Sequence, residues 1–280
     1  METVGAVLAS LLALGAFLLL LGRWRWEGKV SRLLSSLSRE GEGSIQGGLH
    51  LSEVEGLPPP VEEYFRSVLR EGDPAPGQAI LRQEGRFLLN AEAERWASFR
   101  ATHHLSLGPP GFLWDARIRM APGLSVFVRD GLVEGAGFMV ASVLGLFPVA
   151  SAEGNPEITT GALHRYLAEG VWCPVSLLPS QGVRWEAVDD AAALATISVG
   201  QATVSLEFHF GADGLVERVY TPERSREVGG GFEGTPWQGR FWDYEERDGM
   251  RIPMRGEVEW LLPTGSQPYW RGRLTEVVFR

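Results

Sequence analysis

The stretch ALHRYLAEGVWCPVSLLP, residues 162–179, gathers His164, Arg165, Tyr166, Glu169 and Cys173, the single cysteine of the chain. A histidine near a cysteine suggests thiol nucleophilic catalysis, in which an imidazole within hydrogen-bond reach activates the sulfur and a third group orients the ring. The spacing argues for packing instead. Leu163, Tyr166 and Leu167 recur at i, i+3 and i+4 and form one helical face, while Arg165 and Glu169, four apart, can pair on another. Gly170 is a natural helix stop. Cys173 then falls beyond the helix, between Trp172 and Pro174, where an unpaired cysteine reads as a small buried apolar residue. No catalytic residue is assigned.

Other reactive groupings are weaker. His103 and His104 are neighbours on an expected strand and point to opposite faces, so a regular strand cannot bring both to one ion, and no metal site is assigned. Glu257 and Glu259 share a strand face ~7 Å apart, a spacing open to acid and base roles but equally to a solvated face. Gly229-Gly230-Gly231 is followed by no Lys-Ser or Lys-Thr, and Gly135-Ala136-Gly137 has Val140 where a dinucleotide loop needs glycine, so no cofactor is expected. Asp115, Arg117 and Arg119 share one face of FLWDARIRM. They would hold an acidic headgroup or a buried salt bridge if that face lines a cavity and would be ordinary surface if it meets water. The ten tryptophans, Trp172, Trp237 and Trp242 among them, suit a wall for an acyl chain or a core.

These side chains need a scaffold. The chain has 280 residues and a net charge of −9, which argues against nucleic acid as a partner, because phosphate tracking needs clustered basic residues. From Thr3 to Gly22 there is no charge. As a helix rising ~1.5 Å per residue this run spans ~30 Å, the hydrocarbon thickness, and it is read as a membrane anchor. Arg23, Arg25, Lys29 and Arg32 follow it, with Trp24 and Trp26 at interfacial depth. That charge bias favours a cytoplasmic folded domain, with an extracytoplasmic one as the alternative.

Residues 1–37 are therefore expected to be anchor and basic flank, residues 38–55 a Gly/Ser/Glu/Pro-rich linker, and residues 56–280 one domain. PVEEYFRSVLR opens that domain as an amphipathic helix. Period-two segments follow: FRATHHLSL, FLWDARIRM, a hairpin with its turn at Asp130-Gly131, then ATVSLEFHF, LVERVY, a hairpin at Asp248-Gly249 and WRGRLTEVVF. About eleven strands joined by short turns imply antiparallel pairing. The expected fold is mainly β, a curved antiparallel half-barrel around central helices.

GLPPPVEEYFRSVL, GPPGFLWDARIRM, ALHRYLAEGVWCPVSLLP, TPWQGRFWDY and PYWRGRLTEV resemble a bacterial family of membrane-anchored proteins of unknown function, over nearly all of residues 56–280. Arg165, Tyr166, Glu169, Trp172 and Pro174 fit that family's pattern. Cys173 stands where a variable, often aromatic residue is expected. In topology the chain is also similar to the half-barrel of bacterial lipoprotein carriers, which implies a concave side that holds acyl chains. The leading expectation is binding of a lipid or other apolar ligand through Asp115, Arg117, Arg165, Glu169, Trp172, Trp237 and Trp242. The alternatives are an enzyme acting on a membrane-associated substrate around Arg165, Glu169 and Trp172, and a structural or partner-binding domain.

Overall fold

The computed structural model describes residues 2–41 and 48–280. The uncharged run is the first half of one helix, α1 (Glu2–Gly41), 40 residues long and so ~60 Å from end to end. Over Thr3–Ser38 it is long and apolar enough to cross a membrane. Up to Leu20 its described side chains are exposed, whereas from Gly22 onward one stripe is covered, through Trp26, Val30, Leu33, Leu34 and Leu37. The spacing of that stripe is helical, and it docks on a sheet.

Residues 42–47 of the expected linker lie outside the described residues. On either side of them the chain is built into structure. α1 continues to Gly41, Gly48 bridges Pro74, and Leu49, Leu51 and Val54 are buried in the core. Three apolar side chains inside this polar stretch thus tie it to the core ahead of residue 56. α2 (Pro59–Val68) follows, with a proline in its first turn and Val61, Tyr64, Phe65 and Val68 buried along one face.

The rest is one antiparallel sheet of thirteen strands, against an expected eleven or so. Its first half runs β1 (Gln78–Asn90), β2 (Arg95–Ser106), β3 (Gly111–Ala121), β4 (Leu124–Val133), β5 (Ala136–Val143) and β6 (Phe147–Glu153). Its second half runs β7 (Arg184–Asp189), β8 (Ala192–Val199), β9 (Ala202–Phe210), β10 (Val216–Val228), β11 (Gly231–Arg247), β12 (Met250–Leu262) and β13 (Gly265–Phe279). Adjacent Ile80 and Leu81 in β1, and the proline and small residues of β6, hide the alternation that marks a strand.

Each half is a meander, and β1 pairs with β13 from Ala79↔Phe279 to Phe87↔Trp270. That pairing puts β6 and β7 at the two edges. The segment joining them must cross from edge to edge, and it does so over the concave face. It consists of α3 (Pro156–Glu169) and three 3-10 turns between Gly170 and Gln181. Asn155 caps α3 by accepting from the Glu157 amide at 2.8 Å, with Pro156 in the first turn, the usual chemistry of a helix start.

One turn lies elsewhere than expected. Asp130 and Gly131 sit in mid-strand on β4, and the hairpin closes at Glu134-Gly135, with φ of 53° and 72°. Gly131 serves close packing, since a Cβ there would come within 2.7 Å of the Phe112 carbonyl oxygen and 2.8 Å of the Phe138 ring. The Asp248-Gly249 turn is where the sequence puts it, with φ of 47° and 82°. A meander places alternate turns on opposite rims. The first rim carries the turns at 91–94, 122–123, 144–146, 200–201, 229–230 and 263–264, and the second carries those at 107–110, 134–135, 190–191, 211–215 and 248–249.

α1 runs along the convex face between these rims. Gly22 lies against the 144–146 turn, where a Cβ would meet the Leu144 carbonyl oxygen at 2.3 Å. Leu37 packs with Leu113 and Val133 toward the second rim. The apolar half of α1 therefore projects beyond the first rim.

Candidate functional site

The concave face holds a cavity of ≈ 440 Å³, within the size range of small-molecule sites. β3 contributes Trp114 and Ile118, β4 Val126 and Val128, and β5 Met139, while Trp237, Trp260, Tyr269 and Trp270 come from β11 to β13. Trp172, just beyond α3, closes the floor, its ring packed edge-on against Phe241 at 5.9 Å and tilted against Trp270 at 6.0 Å. Five indoles thus wall one space.

Two arginines enter it in different electrostatic states. Arg165 on α3 donates to Glu169 one turn along (Nε to Oε1, 2.6 Å) and to Asp130 on β4 (Nη1 to Oδ2, 2.6 Å). Its guanidinium stacks over the rings of Phe112 and Trp114 at 5.0 and 5.1 Å. Burial opposes the charge of Arg165, but Glu169 and Asp130 outweigh it and hold the guanidinium more firmly protonated than usual. Burial likewise pushes the Glu169 carboxyl up, yet the charge of Arg165 and the nearness of His103 bring it down to about 2. His103 Nε2 is 2.9 Å from Glu169 Oε2, though not aligned as a hydrogen bond. Paired twice, Arg165 ties α3 to β4 across the concave face.

Arg224 on β10 is the contrasting case. It donates to the Tyr269 hydroxyl at 2.9 Å and to the Gly161 carbonyl at 3.1 Å, and lies over the rings of Trp237 and Trp260 at 4.7 and 5.6 Å. Among the described residues no carboxylate comes within 4.0 Å of it, and its Nε is buried without a partner. Trp172, 3% exposed, also keeps a buried indole N–H with no partner, whereas Trp114 donates to Gln83 and Trp237 to Tyr269. Among the described residues, the apolar wall therefore carries one cation without a carboxylate and one indole donor without a partner.

The cavity brings together Arg165, Glu169, Trp172 and Trp237. The structure sets Asp115, Arg117 and Trp242 elsewhere. Asp115 accepts from Trp26 of α1 at 2.7 Å and from Arg117 at 2.6 Å on the convex face, and the Arg117 guanidinium lies 3.9 Å over the Phe127 ring. Trp242, an odd number of strand residues from Trp237, faces outward and is 40% exposed. It lines a wider convex groove of ≈ 990 Å³ with Arg117, Arg255, Arg271 and Arg273. Those four arginines already pair with Asp115, Asp243, Glu257 and Glu84, and the concave cavity, with its apolar walls, is the stronger candidate for an apolar ligand. Glu257 and Glu259 are engaged by Arg240, Arg271, Gln238 and Ser266, an ion-pair network rather than an acid and base couple.

Sequence reasoning passed over Asp130, Arg224, Trp260 and Tyr269. A bulge between Thr221 and Arg224 inserts an extra residue opposite β11, which turns Arg224 inward out of phase with simple alternation. Asp130-Gly131 carried the signature of a turn and so concealed an ion-pair partner. The Cys173 sulfur is fully buried, and burial raises its thiol to about 12, far from the thiolate needed for attack.

Fold and cavity thus define an antiparallel half-barrel with a long N-terminal helix docked on its back. Residues 55–279 match a family of unknown function, DUF6920, and the chain belongs to it. No curated protein matches. Among solved structures, a LolA superfamily protein from Nitrosomonas europaea is 11% identical, with 74% of this chain and 88% of that one covered and a TM-score of 0.41. A domain from Vibrio parahaemolyticus, described as an outer membrane lipoprotein-sorting protein domain, is 9% identical over 74% and 87%, with a TM-score of 0.40. A DUF1329 family protein from Desulfovibrio piger is 14% identical over 73% and 86%, with a TM-score of 0.37. Identities this low carry no residue correspondences.

Proposed function

We propose that this chain is a membrane-tethered half-barrel that binds a lipid or another apolar molecule in its concave cavity. The observation that carries this reading is the ≈ 440 Å³ space walled by Trp114, Trp172, Trp237, Trp260 and Trp270. Wide apolar walls with a few placed polar groups are what a lipid-like ligand requires. The uncompensated Arg224 and the free Trp172 N–H suit a polar end, while Arg165, paired with both Glu169 and Asp130, holds the frame. α1 supplies the tether through residues 3–22. The basic flank after it, Arg23, Arg25, Lys29 and Arg32, favours the cytoplasmic side for the folded part.

The test is native mass spectrometry of the full chain released from detergent, beside a cavity-filling variant, Val128→Trp or Met139→Trp. The expected result is one retained lipid on the wild type that the variants lack. Equal retention by both would mean that the lipid merely coats α1, and the reading would fail.

A further inference from the structure

We infer that the first rim of the half-barrel is a bilayer-docking surface, with the 144–146 and 229–230 turns seating their flanking apolar side chains in lipid on either side of the cavity. The inference rests on the proposed roles of α1 as tether and of the cavity as a lipid site. It adds how the ligand travels: laterally, from bilayer to cavity, without crossing water.

The direction of α1 comes first. It lies on the convex face from Gly22, at the 144–146 turn, to Leu37, beside Leu113 and Val133. One continuous helix fixes where its uncharged half goes, which is outward past the first rim. A bilayer holding residues 3–22 must then have its surface close to that rim.

Exposed apolar side chains gather there too. Leu124 follows the 122–123 turn, Phe147 and Val149 follow the 144–146 turn, and Val228 and Phe232 flank the 229–230 turn, with exposures of 37% to 60%. Elsewhere in the folded part, the exposed large apolar side chains among the described residues are Val188 and Trp242. β6 is an edge strand whose residues are nearly all exposed. In water, an exposed edge bearing Phe147 and Val149 is a liability for self-pairing, and an interface removes it. Arg25 on α1 and Arg119 beside the 122–123 turn supply positive charge at headgroup level, whereas Arg23 pairs with Glu27 at 2.7 Å. The 91–94 turn, near the middle of the sheet, carries Glu92 and Glu94 and stays in water.

The cavity occupies the same end of the barrel. Ile118, Val126, Ala141, Ser225 and Trp260 line it a few residues from first-rim turns, whereas Leu81, Leu105, Phe208 and Ile252 fill the other half of the concave face. The two apolar turns belong to strands on opposite walls, β5 facing β10 and β11. They form the lips of an opening directed at the bilayer.

The experiment uses the full chain in lipid nanodiscs. Cys173 is fully buried, so a cysteine introduced on the surface is labelled selectively with an environment-sensitive fluorophore. Labels are placed at Phe147→Cys and Phe232→Cys on the first rim, at Val188→Cys on the second, and at Trp24→Cys on α1, and each is quenched by spin-labelled lipid. The expected result is that both first-rim labels are quenched severalfold more than the Val188→Cys label. If Trp24→Cys is quenched while the first-rim labels match Val188→Cys, the docking inference is overturned and the tether stands. If Trp24→Cys is also unquenched, the tether itself fails and the inference falls with it. Ligand retention is read separately by mass, so an empty cavity is not confused with an undocked rim.

Discussion

Trp26 of α1 donates its indole N–H to Asp115 of β3 at 2.7 Å, and this contact joins the helix that carries the apolar span to the back of the sheet that carries the cavity. The ring is 3% exposed. It meets Phe127 edge-on at 5.6 Å, and the Arg129 guanidinium lies 4.1 Å over it. Held in this way, α1 has a set direction relative to the barrel as well as a set place on its convex face.

Trp26→Ala should release α1 from the sheet while leaving the half-barrel folded. Truncating a buried aromatic typically costs about 3–5 kcal/mol, and here the loss falls on helix docking. Hydrogen exchange should accelerate across residues 23–38 and on β3 and β4, with β8 to β12 unchanged. Unaltered exchange in α1 would show that the contact contributes nothing to docking.

Glu169 predicts an acid limb. Its carboxyl lies near 2 in the folded chain against an ordinary 4.5, so the pairing stabilises fully above about 4.5 and the contribution is lost as pH falls toward 2. The magnitude is on the order of 3 kcal/mol. Glu169→Gln should therefore lower the urea midpoint strongly at pH 7 and weakly near pH 2.5. A difference constant with pH would exclude the linkage.

His164 titrates in another window. Burial, and then the charge of Arg224, lower its ring to about 4 from 6.5. As pH falls from 6.5 to 4 the unfolded chain takes up a proton that the native ring refuses, so stability drops across that interval by about 3 kcal/mol. Arg224→Gln removes one of the two causes and should raise the His164 titration midpoint, as followed by NMR of the imidazole. No movement of that midpoint would show that burial alone sets it.

Cys173 should resist thiol reagents in the native state. The sulfur is inaccessible, and burial lifts the thiol to about 12, so labelling by maleimide at pH 7.5 should follow unfolding and become complete only in denaturant. Rapid native labelling, read by mass, would contradict both the burial and the packing role.

Local patterns were legible wherever one period dominated. Leu163, Tyr166 and Leu167 marked the buried face of α3, Phe99 to Leu107 and Phe112 to Ile118 marked strand faces, and Asp248-Gly249 marked a turn. The Arg165 and Glu169 pair could be read from i, i+4 spacing. Its partner Asp130 could not, because Asp-Gly in a β stretch signals a hairpin and only the close approach of Phe112 and Phe138 accounts for a glycine in mid-strand. The second half of α1 read as a basic flank, since a stripe of Trp26, Val30, Leu33, Leu34 and Leu37 acquires meaning only opposite Leu113, Val133 and Phe138.

By itself, then, the sequence determined an apolar helix long enough for a bilayer, an antiparallel sheet and the two faces of its strands, because each depends on neighbours a few residues apart. Tertiary structure decided which face looks inward. Period two separates Asp115 from Trp114 and Trp242 from Trp237 but names neither side as inward, since that is set by the face on which α3 packs as it crosses between the edges. It also decided that Arg224 enters the cavity without a carboxylate, because a bulge shifts its phase and its surroundings come from Gly161, Trp237, Trp260 and Tyr269. Charge compensation is a property of what packs around a residue, and those contacts are set only when the distant strands meet.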